Sequence, residues 1–233
     1  MLLRHFYREE KRVLKAVLFD MDGVLVDSDP VYVKLEKKIG KTLGLDLGDR
    51  ELGEYVGIRP LEMWRDLKRK YGFDADPAQL AGREAVLMDE YYASGTLYPI
   101  VPTIAFLKQC AAAGLKIAVA TSSERVNADI VAARIGIASH VQAVASSCMA
   151  GKSKPAPDIF LLAAKLLCTR PGECVVIEDA YSGVQAAVAA GMKVVGLRSA
   201  AHAQDMSKAD MVVDSCAQLS VDVLRGLIVE DNG

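Results

Sequence analysis

The sequence predicts an α/β fold, a Rossmann-like parallel sheet flanked by helices, with an inserted α-helical bundle. Three observations predict it. Short apolar runs alternate with helical patterns along most of the chain, as crossover connections in a parallel sheet require. Gly114, Gly136 and Gly191 stand where those helical patterns end, as helix stops do. One stretch differs in composition: Asp27–Tyr98 holds 25 charged residues in 72, whereas the other 161 residues hold 33. The expected organisation is an α/β unit of residues 1–26 and 99–233, interrupted by a helical unit of residues 27–98.

The elements follow in order. Ala16–Phe19 reads as a fully buried strand. Ser28-Asp29-Pro30 reads as a helix start, with a capping side chain ahead of a proline in the first turn. Val31, Leu35, Ile39 and Leu43 then recur every fourth residue, the stripe of one buried helix face. Leu61, Trp64, Leu67 and Tyr71 repeat that stripe, and Leu80, Glu84, Leu87 and Tyr91 do so less cleanly. Trp64 is expected in the core of this bundle, and Lys68-Arg69-Lys70 on a solvated face. Beyond the insert, strands are expected at Ile117–Ala120, Val141–Ala145, Val175–Ile177, Val194–Leu197 and Met211–Val213. Helices are expected between them at Pro102–Ala113, Glu124–Ile135, Asp158–Leu167 and Gly183–Ala190.

Composition excludes several function classes. A net charge of -2 and a pI near 6.0 carry no electrostatic footprint for nucleic acid. No apolar run reaches the ~18 residues of a membrane span, and the charged start MLLRHFYREEKRVLK does not read as a signal peptide. The five cysteines are scattered and lack CxxC or zinc-knuckle spacing. Reduced thiols and a cytoplasmic location are expected, with a monomer or weak dimer as the assembly. Residues 1–12 have no role that the sequence names.

Parallel sheets bind ligands at the carboxyl ends of their strands, so the residues that end each apolar run carry the chemistry. The first run ends in Asp20-Met21-Asp22-Gly23, the second in Thr121-Ser122-Ser123, and the run Cys174–Ile177 in Glu178-Asp179. Gly151-Lys152-Ser153-Lys154-Pro155 follows the third run. Each has an ordinary reading alone: a turn residue, a helix cap before Glu124, a solvated loop, a surface lysine. Together they form one set. Carboxylates from two strands suit Mg²⁺, which takes oxygen ligands and keeps waters and substrate phosphate. A hydroxyl, helix-start amides and a lysine suit the phosphate. Asp20 is then the candidate nucleophile and Asp22 the candidate acid/base, their i, i+2 spacing aiming both at one ligand.

These residues resemble the haloacid-dehalogenase-like (HAD) hydrolase superfamily, in particular its phosphatase and β-phosphoglucomutase-like branch. The motifs stand in order: DxDG at Asp20–Gly23, the hydroxyl at Thr121, the lysine before proline at Lys154 in SKPAPDIF, and EDxxxGxxAAxxAGM across Glu178 to Met192. The resemblance implies that Asp20 attacks phosphate and ligates Mg²⁺. It implies that Asp22 is the acid/base and ligates through its backbone carbonyl, and that Glu178 and Asp179 complete the metal site. Thr121, Ser122 and Lys154 would hold the phosphoryl group. It also implies that the charged insert is a cap domain closing over the site. Within that insert, Gly57-Ile58-Arg59-Pro60 resembles the family's specificity loop, and Arg59 is the candidate for reaching a second anionic group or, equally, for a surface salt bridge.

Two departures stand out. Ala180 occupies a position where a serine is frequent. Tyr32 occupies the position where mutases commonly carry a histidine, and the only histidines are His5, His140 and His202. The expected function is therefore an Mg²⁺-dependent phosphatase acting on a small phosphorylated metabolite, a sugar or organic-acid phosphate, with a phosphosugar mutase as the alternative. A receiver-like signalling module would carry its acidic pair before its acceptor aspartate, the reverse of the order here.

Overall fold

A computed structural model describes residues 13–146, 148–199 and 204–229. Residues 1–12, including most of the charged start, lie outside the described residues.

The strand β1 (Ala16–Phe19) opens the chain in the middle of the sheet. It is followed by β2 (Lys116–Thr121), β3 (Ala143–Ser146), β4 (Cys174–Glu178), β5 (Lys193–Leu197) and β6 (Met211–Val213). The six strands lie in the order β3-β2-β1-β4-β5-β6, all parallel. The order reverses at β1, whose neighbours are β2 and β4. Adjacent crossovers leave a crevice beyond the carboxyl ends there, the usual ligand site of such sheets.

Strand alternation divides the interior into two layers. Val17, Phe19, Ile117, Val119, Val175 and Ile177 face one way and pack with α5 (Val101–Ala112), α6 (Arg125–Arg134) and α9 (Val221–Val229). Leu18, Ala118, Ala120 and Val176 face the other way, against α7 (Asp158–Leu166) and α8 (Tyr181–Ala189). Both faces are covered, which is why the strands read as unbroken apolar runs.

The helical insert runs between β1 and β2 as α1 (Asp29–Thr42), α2 (Asp49–Gly53), α3 (Pro60–Tyr71) and α4 (Pro77–Ser94). It has its own core of Ile39, Leu47, Leu52, Met63, Trp64, Leu67 and Leu80. Its ends meet: Asp27 N donates to Tyr98 O at 2.8 Å, and Val26 forms a bridge with Pro99.

The expected strands are all present, with shifted ends. β3 begins at Ala143 rather than Val141, because Gln142 spends its side chain on the edge: its Oε1 accepts from Ile117 N at 2.6 Å. The helix expected at Gly183–Ala190 starts two residues earlier. The short α2 and the last helix α9 are elements the sequence pattern did not single out. The stripes need correction. Tyr71 is exposed and turns its hydroxyl to Glu51 Oε1 at 2.7 Å. On α4 the buried line is Leu80, Glu84, Met88 and Tyr92, a strict four-residue step, and Leu87 and Tyr91 are only partly buried. Trp64 is fully buried, as expected, and its Nε1 donates to Glu84 Oε2 at 2.8 Å.

The insert therefore buries acid. Burial, with the charges of Glu84 and Asp29 adding, pushes Glu36 up to about 8. Burial pushes Glu84 up to about 7 against the opposing Trp64 bond. Both folded values lie above the ordinary 4.5, so the folded state holds these protons longer than the unfolded chain. The stability they contribute is complete below about pH 4.5 and is lost as pH rises through about 7 to 8. Glu36→Gln and Glu84→Gln should thus melt increasingly above the parent protein as pH rises toward 8.5, and gain least near pH 4.5. Melting temperature against pH checks this, and a difference that does not grow with pH contradicts it.

Candidate active site

The carboxyl end of β1 delivers Asp20, and that of β4 delivers Glu178 and Asp179. Asp20 N donates to Ile177 O at 3.0 Å, so the ladder between the two strands holds up to the first carboxylate. Asp20, Glu178 and Asp179 are all buried, and one oxygen from each lies within 4.8 Å of the others. Lys154, on the loop between β3 and α7, reaches into this cluster. Its Nζ donates to Asp20 Oδ1 at 2.5 Å and to Glu178 Oε1 at 2.5 Å. Lys152 is exposed, and its backbone N–H is engaged by Asp158 Oδ1 at 3.1 Å. Of the two lysines, Lys154 is thus the one at the site.

The glycine of the first motif has a steric reason. Gly23 has φ +76, and a Cβ there would fall 1.9 Å from Asp179 Oδ2. Gly183 opens the first turn of α8 in the same way, since a Cβ would lie 1.7 Å from Glu178 Oε1. Ala180 N meanwhile donates to Glu178 Oε2 at 2.8 Å.

The cluster is electrostatically short of cations. Burial pushes Asp20 well above the usual carboxylate range; Lys154 opposes this, and Glu178 and Asp22 reinforce it. Burial, then the charges of Glu178 and Asp20, push Asp179 up. One lysine does not balance three carboxylates. An all-oxygen set packed this closely fits a hard divalent cation, which takes one or two such carboxylates directly.

Asp22 stands apart from that cluster and points into a ring of hydroxyls. Ser28 Oγ and Tyr92 Oη donate to its Oδ1 at 2.5 and 2.6 Å, and Ser123 Oγ donates to its Oδ2 at 3.0 Å. Tyr32 Oη lies 3.3 Å from Tyr92 Oη and 3.5 Å from Ser123 Oγ. Ser28 stands at the cap position of α1 as expected, but its hydroxyl makes no capping bond and is turned to Asp22. Thr121 and Ser122 do not cap α6 either: Glu124 holds the cap position, with no side-chain cap. Thr121 is fully buried, and its Oγ1 accepts from Ser123 N at 3.0 Å.

A cavity of about 390 Å³ joins these groups. Asp20, Asp22, Ser122, Ser123, Lys154, Glu178 and Asp179 line it, together with Tyr32, Glu36, Arg59 and Glu84 of the insert. The structure brings together the expected residues from the carboxyl ends of four strands, with Thr121 beneath the wall rather than on it. Sequence reading missed Tyr92, Ser123 and the second role of Ser28. A serine six residues past an acid/base candidate was visible, but nothing local joins Asp22 to a tyrosine seventy residues away.

Sequence and structure comparisons identify the family. The family model described as "haloacid dehalogenase-like hydrolase" matches residues 14–191. The chain belongs to that hydrolase family. Among its relatives is the chloroplast protein Suppressor of Quenching 1 of Arabidopsis thaliana, 33% identical over 222 residues. That match covers 91% of this chain and 21% of the plant protein, so the chain spans about a fifth of that relative's length. β-Phosphoglucomutase of Bacillus subtilis is 30% identical, with 91% of this chain and 94% of the enzyme covered. A fructose-1-phosphate phosphatase of Escherichia coli is 31% identical, with 78% and 95% covered. The crystal structure of a β-phosphoglucomutase from Clostridium difficile superposes with a TM-score of 0.78 at 26% identity, covering 93% of this chain and 98% of that one. Among the described residues, no helix is long and apolar enough to cross a membrane.

Gly23→Ala tests the close packing. It forces both a left-handed alanine and a collision with Asp179, and should destabilise the fold by about 2 kcal/mol or more. Urea denaturation measures it, and a loss within error of zero overturns the steric account.

Proposed function

We propose that the protein is an Mg²⁺-dependent phosphatase of small phosphomonoesters. The observation that carries this reading is the convergence of Asp20, Asp22, Lys154, Glu178 and Asp179 on one cavity at the switch point of the sheet. Asp20, Glu178 and Asp179, with the backbone carbonyl of Asp22, would hold Mg²⁺. When bound, the ion neutralises charge on the phosphoryl oxygens.

The chain's own residues perform the rest. Lys154 holds the Asp20 carboxylate in place, and with Ser122 it receives the phosphoryl oxygens; Thr121 supports the loop that carries Ser122. An Asp20 oxygen attacks phosphorus, and the bond to the leaving oxygen breaks as Asp22 gives that oxygen a proton. This leaves an aspartyl-phosphate on Asp20. Asp22, now ionised, takes a proton from water, which attacks the same phosphorus and frees Asp20 and inorganic phosphate. Enzymes of this type lower the barrier by on the order of 20 kcal/mol. Tyr92, Ser28 and Ser123 aim the Asp22 carboxyl by donating to both of its oxygens.

Residues 27–98 would act as the cap and residues 1–26 and 99–233 as the catalytic core. The pinch between Asp27 and Tyr98 supports a hinge at that boundary. Arg59 lines the cavity, which supports reading it as a substrate contact. The named phosphatase relative supports phosphate release to water. The named mutase relative supports the second reading, a phosphosugar mutase, in which a sugar hydroxyl takes the place of water. Tyr32 at the usual histidine position favours the phosphatase. A cytoplasmic site of action is part of the proposal.

Phosphate release from p-nitrophenyl phosphate and a panel of sugar and organic-acid phosphates tests it. Turnover should require Mg²⁺, stop with chelator, and vanish in Asp20→Asn; turnover that survives in Asp20→Asn rules the mechanism out. Dependence on a bisphosphate activator would move the assignment to the mutase. Tyr92→Phe deletes one hydrogen bond to the Asp22 carboxylate and should lower kcat about tenfold with little change in KM. An unchanged kcat would mean that Tyr92 serves packing alone.

A further inference from the structure

Asp29, Tyr32, Val33 and Glu36 of α1 all line the cavity. Their i, i+3, i+4, i+7 spacing is one helix face, beside the stripe of Val31, Leu35 and Ile39 that packs into the cores. The face leads away from the reacting groups. Asp29 is near enough to Asp179 for its charge to act there. Tyr32 lies against Tyr92 and Ser123, which hold Asp22. Glu36 stands one turn beyond Tyr32, about 5.4 Å further along the axis, and the charges that act on it are those of Glu84 and Asp29.

Glu36 is 8% exposed and makes no hydrogen bond among the described residues. Unlike Glu84 Oε1, its oxygens are not sealed from the cavity. Other polar groups of the insert that line the cavity are already engaged. Asp89 Oδ1 accepts from Asn127 Nδ2 at 2.7 Å, and Tyr55 Oη donates to Asp66 Oδ2 at 2.7 Å. The insert otherwise presents apolar side chains there: Val33, Val56, Ile58 and Leu61 line the cavity and are each half-buried. The wall is thus largely apolar and carries a carboxyl that lacks a partner, and a buried polar group needs one.

We propose that Glu36 is a specificity residue that pairs with a ring nitrogen of the substrate, and that the leaving group is a flat nitrogen heterocycle carried on the phosphate ester. The inference rests on the phosphatase reading and names a substrate class for that same site. One helical turn between Tyr32 and Glu36 matches the span of a six-membered ring. Apolar walls suit its faces, whereas a polyol would lose water from hydroxyls that Val33, Val56, Ile58 and Leu61 cannot pair. A pyridine-type nitrogen and a carboxyl share one proton between them, so the bond forms whichever partner holds it. Burial, with the charges of Glu84 and Asp29 adding, pushes Glu36 up to about 8, so near neutral pH the carboxyl brings that proton itself.

The test compares esters that all release a primary alcohol: 3- and 4-pyridylmethyl phosphate, benzyl phosphate and glucose 6-phosphate. The better pyridylmethyl ester should exceed glucose 6-phosphate in kcat/KM by about tenfold or more, and benzyl phosphate by about fivefold. Glu36→Leu, first shown to be folded by its melting curve, should abolish the lead over benzyl phosphate through KM and leave benzyl phosphate itself little changed. Glu36→Gln, which keeps a donor for the ring nitrogen, should retain part of that lead. A lead for glucose 6-phosphate, equal rates for the pyridylmethyl and benzyl esters, or a lead that survives in Glu36→Leu would overturn the proposal. Calorimetric binding of the same compounds to the Asp20→Asn protein with Mg²⁺ reads the discrimination without turnover. Absence of turnover on every compound, with the order kept in binding and lost in Glu36→Leu, would overturn the phosphatase reading and support Glu36 as the ring contact.

Discussion

Everything at the centre of this protein follows from the burial of three carboxylates, Asp20, Glu178 and Asp179, against a single lysine. Like charges brought this close in a low-dielectric site repel, and each has lost water. The fold tolerates the arrangement because the partners are fixed in advance. Lys154 bridges two of the acids, Ala180 N–H takes the second oxygen of Glu178, and Gly23 and Gly183 leave room that any side chain would fill. The remaining negative charge is an affinity for a cation, held at the one place where a doubly wound sheet opens a crevice.

The insert is tied to this centre through the acid/base candidate. Ser28 and Tyr92 come from the two ends of the insert, yet both hydroxyls converge on Asp22. Other contacts cross the same divide: Ser182 Oγ donates to Gly57 O at 3.2 Å, and Gln204 Nε2 donates to Gly53 O at 3.2 Å. A motion of the insert would therefore change which donors reach Asp22. The position of the insert and the orientation of that carboxyl are linked through these contacts.

Much of this was legible in the chain because it is local. Buried parallel strands need several apolar residues in a row, and all six were readable as such runs. The acids that end β1 and β4 are visible because a carboxylate after a buried strand interrupts the pattern. Misreadings came where a side chain had competing partners. Ser28 looks like a helix cap because a serine before Asp-Pro is one by propensity; its hydroxyl is instead turned to Asp22, which accepts its proton, and away from the first N–H groups of the helix. On α4, a helical stripe can run from Glu84 through Leu87 to Tyr91 or through Met88 to Tyr92, since steps of three and four both keep to one face. Burial of Glu84, which takes the Trp64 indole N–H, sets the helix's rotation and puts Tyr92 inward.

The amino-acid sequence by itself determined the order of strands and helices, the place of the helical insert, and the candidate site residues at strand ends. Each of these is written in periodicity or in short spacing, and short-range sterics enforce it. Only the tertiary structure decided which hydroxyls hold Asp22, and that Glu36 and Glu84 of the insert lie around the same cavity. Those outcomes depend on contacts between residues tens of positions apart. Such contacts are set by how the insert packs on the sheet, and a one-dimensional pattern does not carry that packing.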